Sequence, residues 1–410
     1  MTTRRTFMAG IGAALGAGAA GIPGAANAAE AAPFFAPHQG GIATPQQSHV
    51  YFAVFDVTTD RRDDLVRLMQ TWTPLAARLG GGMPADALGD APGAPPGDSG
   101  EALGLGPAGL TLTFGFGPEL FMQQGKDRFG LAAKRPDALV DLPLFPGDQF
   151  EAGKTGGAIA VQACADDPQV AFHAVRQLAR AGEQAVAMKW TQAGFCIKPD
   201  AQKVPRNLMG FKDGIMNPDI ADSGSMEQFV WVGAEGPAWM QGGSYLVARR
   251  IRIALQHWDQ MRLGFQEQVI GRRKYSGAPL GETKEFAPLD LKASGPDGNP
   301  VIPNNAHARL GAPELNGGVQ ILRRSFSYSD GVSFIAERWP PWRQAMEYDA
   351  GLLFLAYQKD PRTGFIRIFE RMSRLDALNQ FTTHVGSGIF ACPGGVRKGG
   401  YIGEALFDVT

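Results

Sequence analysis

The chain has 410 residues and a formal net charge of −1, enough length for two domains of ordinary size whose cores need no disulfide staples. A balance so close to neutral excludes a strongly basic nucleic-acid surface or an electrostatic face for anionic membranes. Cys164, Cys196 and Cys392 match no zinc spacing, and one disulfide or buried free thiols are both compatible with them.

The N-terminus reads as an export signal. Arg4 and Arg5 precede Thr6, Phe7 and Met8, a Gly/Ala-rich apolar run reaches about Ala20, and Ala26-Asn27-Ala28 forms a small-residue cleavage site, the pattern of the twin-arginine route. Residues 1–28 are therefore expected to be removed and the mature protein to be periplasmic or extracellular. An Ala/Pro/Gln-rich arm follows over 29–48. No later run has the apolar length of a membrane-spanning helix.

From residue 49 the chain repeats itself. Tyr51 to Val57 reads as a strand leading into a helical pattern over 64–77, and Tyr245 to Ile251 leads likewise into 255–261. Gly157 to Gln162 precedes Asp167-Pro168 and Phe172, as Gly351 to Ala356 precedes Asp360-Pro361 and Phe365. A third pair, residues 112–117 and 324–329, matches at a larger offset, which an insertion in Gly/Pro-rich 276–304 explains. Each half reads strand, helix, strand, strand, helix, strand, with 185–190 closing the first half. Alternating short apolar runs suit antiparallel sheets with one face on a core. The expectation is an α+β protein of two tandem ferredoxin-like domains, 49–205 and 206–410. The Pro/Gly/Asp-rich stretch 83–106 is expected to be an irregular surface loop.

Three segments could carry chemistry. Gly210-Phe211-Lys212-Asp213-Gly214 is either a plain Asp-Gly turn or a loop whose glycines let the backbone approach a flat ligand while Asp213 projects over it. His307, in a loop between proline-rich stretches, is either an ordinary hydrogen-bonding residue or a ligand. Arg323 and Arg324 sit on a strand, so alternation sends them to opposite faces and at most one points inward. Of the other histidines, His38 and His49 lie in or at the end of the arm, His173 on an ordinary helix, His257 beside Trp258 and His384 in Thr-Thr-His. None clusters with acids or cysteines along the chain, so zinc and facial-triad sites are not expected. A haem iron needs only one axial imidazole, and splitting a bound peroxide needs an acid/base and a cation. No Cys-x-x-Cys-His is present for covalent haem attachment.

Across nearly the whole mature chain the sequence resembles the dye-decolourising peroxidase family, in particular its twin-arginine-exported, deferrochelatase/peroxidase-like branch. The resemblance rests on Leu110 to Gly117 with Pro118-Glu-Leu-Phe121, Asp127-Arg-Phe-Gly-Leu131, Val161-Gln-Ala-Cys-Ala-Asp-Asp-Pro168, the Gly-x-x-Asp-Gly of 210–214 with Asn217-Pro218, Gly243-Ser-Tyr-Leu246, Ser276-Gly-Ala-Pro-Leu-Gly281, Ala306-His-Ala-Arg-Leu310, Ile321-Leu-Arg-Arg324 and residues 351–358. It implies a dimeric α+β barrel type of fold and one non-covalent haem b per chain. His307 would be the axial iron ligand, Asp213 the distal acid/base and Arg323 the distal arginine. Arg309 would meet a haem propionate, with Phe211, Lys212, Gly214, Leu352 and Phe354 around the cofactor.

The implied activity is a peroxidase that uses hydrogen peroxide to oxidise bulky aromatic donors such as dyes through an oxo-ferryl intermediate. Electrons would enter at the haem edge or through surface aromatics, for which Tyr245, Tyr328, Tyr357 and Trp258 are candidates beside their ordinary reading as core residues. Two other functions stay open: release of iron from haem with the porphyrin intact, and haem binding in the cell envelope without turnover. Implied partners are the aromatic electron donor and the twin-arginine export machinery, with a homo-oligomer and iron-uptake partners left open and no nucleic acid.

Overall fold

The structure, a computed structural model, describes residues 32–89, 91–198, 204–336 and 344–408. The export signal lies outside them. Among the described residues nine strands form in chain order: β1 (His49–Val57), β2 (Thr111–Phe116), β3 (Ile159–Ala165), β4 (Val186–Phe195), β5 (Ser244–Ile253), β6 (Leu322–Arg323), β7 (Phe326–Ala336), β8 (Gln344–Gln358) and β9 (Thr382–Cys392). The first half is ordered β4-β1-β3-β2 and the second β7-β8-β5-β9, with the short β6 also on β8. This is the same ferredoxin-like order twice. All strand pairs are antiparallel, and the halves join through Phe116 opposite Ala391 and Phe195 opposite Ser327. Together the two sheets close into a barrel.

Side-chain alternation divides each strand between two cores. Val50, Phe52 and Val54 of β1 turn into the barrel against Leu353, Leu355 and Tyr357 of β8 and Phe390 of β9. Ala53, Phe55 and Val57 turn outward to the helices. The helix Arg62–Gly80 buries Leu65, Leu68, Met69, Trp72 and Leu75 at three- and four-residue spacing. Trp72 donates to the carbonyl of Leu178 at 2.8 Å on the neighbouring helix Pro168–Gly182. That second helix starts where Asp167 accepts from the amides of Gln169 and Val170, with proline in its first turn.

The halves differ in what covers their outer faces. In the second half the β5-to-β7 crossover breaks into the short helices Leu255–Trp258, Leu263–Ile270 and His307–Leu310 with long irregular connections. The β8-to-β9 crossover forms Arg367–Leu375. These pieces stand off the outer face of β5, β8 and β9 and leave a cleft. Stretch 276–304 is irregular, as its composition implies, and so is 83–106. The arm packs down on the barrel: Ile42 joins the barrel core, and Gln39 donates to the carbonyls of Phe114 and Pro393.

Candidate active site

The cleft has a volume of about 230 Å³ and opens to solvent. Its sheet wall carries Ile251 and Ile253 of β5, Leu352 and Phe354 of β8, and Thr382 and His384 of β9. These are the residues alternation turns away from the barrel.

Asp213 reaches the cleft from the turn 210–214. Gly210 and Gly214 adopt φ of +83° and +96°, values that exclude most side chains. A Cβ at Gly214 would meet only Asn217, at an ordinary 3.7 Å, so backbone conformation is what requires glycine there. Asn207 fixes the turn: its side chain accepts from the amides of Met209 and Phe211, and its own amide donates to the Phe211 carbonyl. Arg323, on β6, donates to Asp213 at 3.1 Å. Asn217 clamps this arginine by accepting from its amide at 3.2 Å and its Nε at 3.3 Å and donating to its carbonyl at 2.7 Å.

Arg324 turns the other way, into the barrel, where it donates to the carbonyls of Thr44 and Pro45 and to the side chain of Gln47. Alternation thus separates the two arginines as expected.

His307 opens its short helix and lines the same cleft. Its Nδ1 meets Asp376 Oδ2 at 2.6 Å. Burial pulls the imidazole down, but the charge and hydrogen bond of Asp376 more than offset this and hold it above its ordinary pKa. The contact fixes the ring and leaves Nε2 to bind a metal. Asp376 was not singled out from the sequence, because it lies 69 positions away and only the folded crossover brings it to His307.

Phe211, Lys212, Asp213, Gly214, His307, Arg323, Leu352 and Phe354 all line the cleft. Lys212 is paired there with Glu285. Arg309 is not among the lining residues. It donates to the carbonyls of Leu291 and Ile302 and ties the irregular connection to the helix that bears His307, because a helical residue two past His307 points away from it.

The cleft's second guanidinium is Arg272, buried at 5 % exposure. Its Nη1 donates to the carbonyls of Gly277 and Glu285, whereas its Nη2 has no hydrogen-bond partner. Burial and the nearby Arg323 cation pull its pKa below the ordinary value. A flat apolar macrocycle with anionic carboxylates fits this donor set: an imidazole with one free nitrogen, apolar walls and an orphaned cationic donor.

Two further expectations need correction. Tyr328, Tyr357 and Trp258 are fully buried and are not surface residues. Tyr357 donates to Gln162 inside the barrel, Tyr328 lies under Arg250, and Trp258 packs on Phe211 and Phe381. Tyr245, also buried, lines a neighbouring cleft that shares Val319 and Gln320 with the first. His173 does cluster with acids, since its Nε2 lies 3.3 Å from Asp98 and its Nδ1 3.3 Å from Glu101. The loop 83–106 delivers both carboxylates in space, which spacing along the chain does not show.

Known proteins resemble the chain over nearly its whole length. The family model for the N-terminal domain of Dyp-type peroxidases matches residues 39–196, and that for the C-terminal domain matches 204–397. A dye-decolorizing peroxidase of Thermobifida fusca is 37% identical over 99% of this chain and 97% of its own length. A deferrochelatase of Escherichia coli K12 is 36% identical over 93% and 88% of the two chains. The oxyferrous complex of DtpA from Streptomyces lividans superposes with a TM-score of 0.83 at 40% identity, covering 93% of this chain and 98% of that one. With both domain models matched in order and relatives aligned over nearly the full length, the chain belongs to the Dyp-type peroxidase family.

Proposed function

We propose that the protein is a haem peroxidase whose cofactor, one non-covalent haem b per chain, lies in the cleft with its iron on Nε2 of His307. The observation that carries this reading is the placement of the Asp213–Arg323 ion pair and the His307–Asp376 pair in one apolar cleft. Bound haem would supply the iron that takes hydrogen peroxide and the oxidising equivalents passed to an aromatic donor. Asp213 would take the proton from the inner peroxide oxygen and return it to the outer one. Arg323, aimed by Asn217, would stabilise the negative charge that develops as the O–O bond lengthens. Asp376 would keep the ligand ring oriented and electron-rich, and Arg272, in place of Arg309, would meet a propionate with its free Nη2.

An absorption spectrum of haem-loaded protein before and after one equivalent of peroxide tests the activity. A spectral change that aromatic donors reverse is expected, and an unchanged spectrum would leave a haem carrier. In His307→Ala the ferric histidine-ligated spectrum should be lost and partly restored by added imidazole. An unchanged spectrum would refute the ligand assignment. Similarity to a deferrochelatase supports a second reading, iron release with the porphyrin intact. Metal-free porphyrin among the products would favour it.

The twin arginines, the apolar run and the cleavage site support export by the twin-arginine route to the periplasm or beyond. Its machinery would be a partner, and iron-uptake partners belong to the second reading. Expression with Arg4 and Arg5 replaced by lysine should leave the protein in the cytoplasm.

A further inference from the structure

Beside the cleft, on the same outer face of the sheet, lies a buried polar recess that the roles above do not use. Arg249, on β5, is fully buried. Its Nη1 donates to Asp148 Oδ2 at 3.1 Å, and its Nε and Nη2 bond no other protein group. Asp148 has its side chain 2 % exposed, and its Oδ1 is likewise unpartnered. His384, on β9, is 8 % exposed, lines the cleft, and has an unpartnered Nδ1.

These atoms share one neighbourhood. Phe369 lies 4.7 Å from the His384 ring and 5.6 Å from the Arg249 guanidinium carbon, and Gln149, next to Asp148, donates its amide to the His384 carbonyl at 2.9 Å. Phe145, Phe150 and Phe365 enclose the rest of the guanidinium. Four buried polar atoms without protein partners, in one place, are costly unless ordered water meets them.

We propose that this recess holds water and that His384 relays protons through it, from the surface loop at Asp148 and Gln149 into the cleft. The inference rests on the peroxidase reading. Reduction of one hydrogen peroxide to two waters takes two electrons from the aromatic donor and two protons. Asp213 only moves the proton that peroxide already carries, so further protons must enter from solvent. Gln149 is exposed and Asp148 has its carboxylate turned inward, so the recess spans from the surface loop to the cleft. Arg249 cannot pass a proton, because it has no accepting atom; it would hold the water in place. His384 can accept at Nδ1 and donate at Nε2. Burial and then the charge of Arg249 push its pKa well below the ordinary value, so a proton received there is passed on and not kept. Arg249 and Asp148 are the charged groups that face the recess from the strand and loop around it.

The test has two arms on the haem-loaded protein. A high-resolution crystal structure should show ordered water bonded to His384 Nδ1 and to Arg249 or Asp148; a dry recess would overturn the proposal whatever the turnover. In stopped flow, His384→Phe should leave the initial reaction with peroxide within about twofold. Its donor-driven return to the resting spectrum should slow about tenfold, with a larger solvent deuterium effect. His384→Gln, which still hydrogen-bonds but cannot titrate, should keep the water and slow the same phase. A return at the wild-type rate in both variants, or equal slowing of both phases, would show a merely structural histidine. Wild-type protein that does not react with peroxide at all would sink the peroxidase reading itself, and the relay with it.

Discussion

Arg323 and Arg324 are neighbours in sequence with opposite surroundings, and the two should fail differently. Arg323→Leu is expected to slow the reaction with peroxide about 100-fold, the scale for losing a donor that meets developing charge, while haem retention changes less. Arg324→Leu removes three hydrogen bonds at the mouth of the barrel, one of them to the buried Gln47, and should destabilise the protein by about 3 kcal/mol. Its rate with peroxide should stay near that of the wild type. Stopped-flow rates combined with urea unfolding decide, and the reverse pattern would assign the catalytic role to the other arginine. Alternation made this distinction readable in the sequence. The proposed propionate partner was not readable: Arg309 stands two residues past His307, Arg272 lies outside the segments singled out in the sequence, and only the fold shows that the guanidinium of Arg272 lines the cleft. Arg272→Leu should therefore weaken haem retention about tenfold, the scale of one charge-assisted hydrogen bond, and Arg309→Leu should weaken it less. Haem transfer to an apo-globin acceptor measures both.

Among the elements, the irregular loop 83–106 is held on the helix Pro168–Gly182 by more than its composition suggests. Asp98 accepts from the amides of Ala85 and Gly100, and His173 faces Asp98 and Glu101. Burial works against ionised Glu101, but hydrogen bonds from Ser99 and its own backbone, and then His173, bring its pKa down to about 2. A folded-state value below the unfolded one stabilises the clasp above about pH 4.5, and that contribution fades as the pH falls toward 2. Glu101→Gln is expected to cost about 1 kcal/mol at neutral pH and to flatten this part of the acid dependence. Limited proteolysis of the loop between pH 2 and 5, in both proteins, would detect it; equal acid sensitivity would assign the loosening to other carboxylates. The strands of both halves were readable because their period of two sets them apart from the helices. The second-half crossover was not, since its helices are four to eight residues long and carry little periodicity of their own. That same brokenness keeps the layer off the sheet and makes room for the cleft.

At the scale of the whole molecule, the internal repeat explains the barrel and also limits its independence. Each half supplies a complete ferredoxin-like sheet, which suggests two units able to fold alone. The inner faces argue otherwise, because Val50, Phe52 and Val54 from one half pack in the barrel with Leu353, Leu355 and Phe390 from the other. Polar groups also cross the interior: Arg250 donates to Gln192 at 2.6 Å and Tyr357 to Gln162 at 3.0 Å. A separated half would expose this apolar face to water; the second would also leave the Tyr357 phenol without its acceptor and take Gln192 from Arg250, which keeps Asp330 and Asp349. Residues 32–203 and 204–410 expressed separately should therefore aggregate or show the loose tertiary packing of a molten state, whereas coexpressed halves should assemble and bind haem. Near-UV circular dichroism and gel filtration of each half and of the pair test this. A C-terminal half that is monomeric, tightly packed and haem-loaded by itself would show that barrel closure is not needed to form the cleft, and that the first half serves some purpose other than backing the β5–β8–β9 wall.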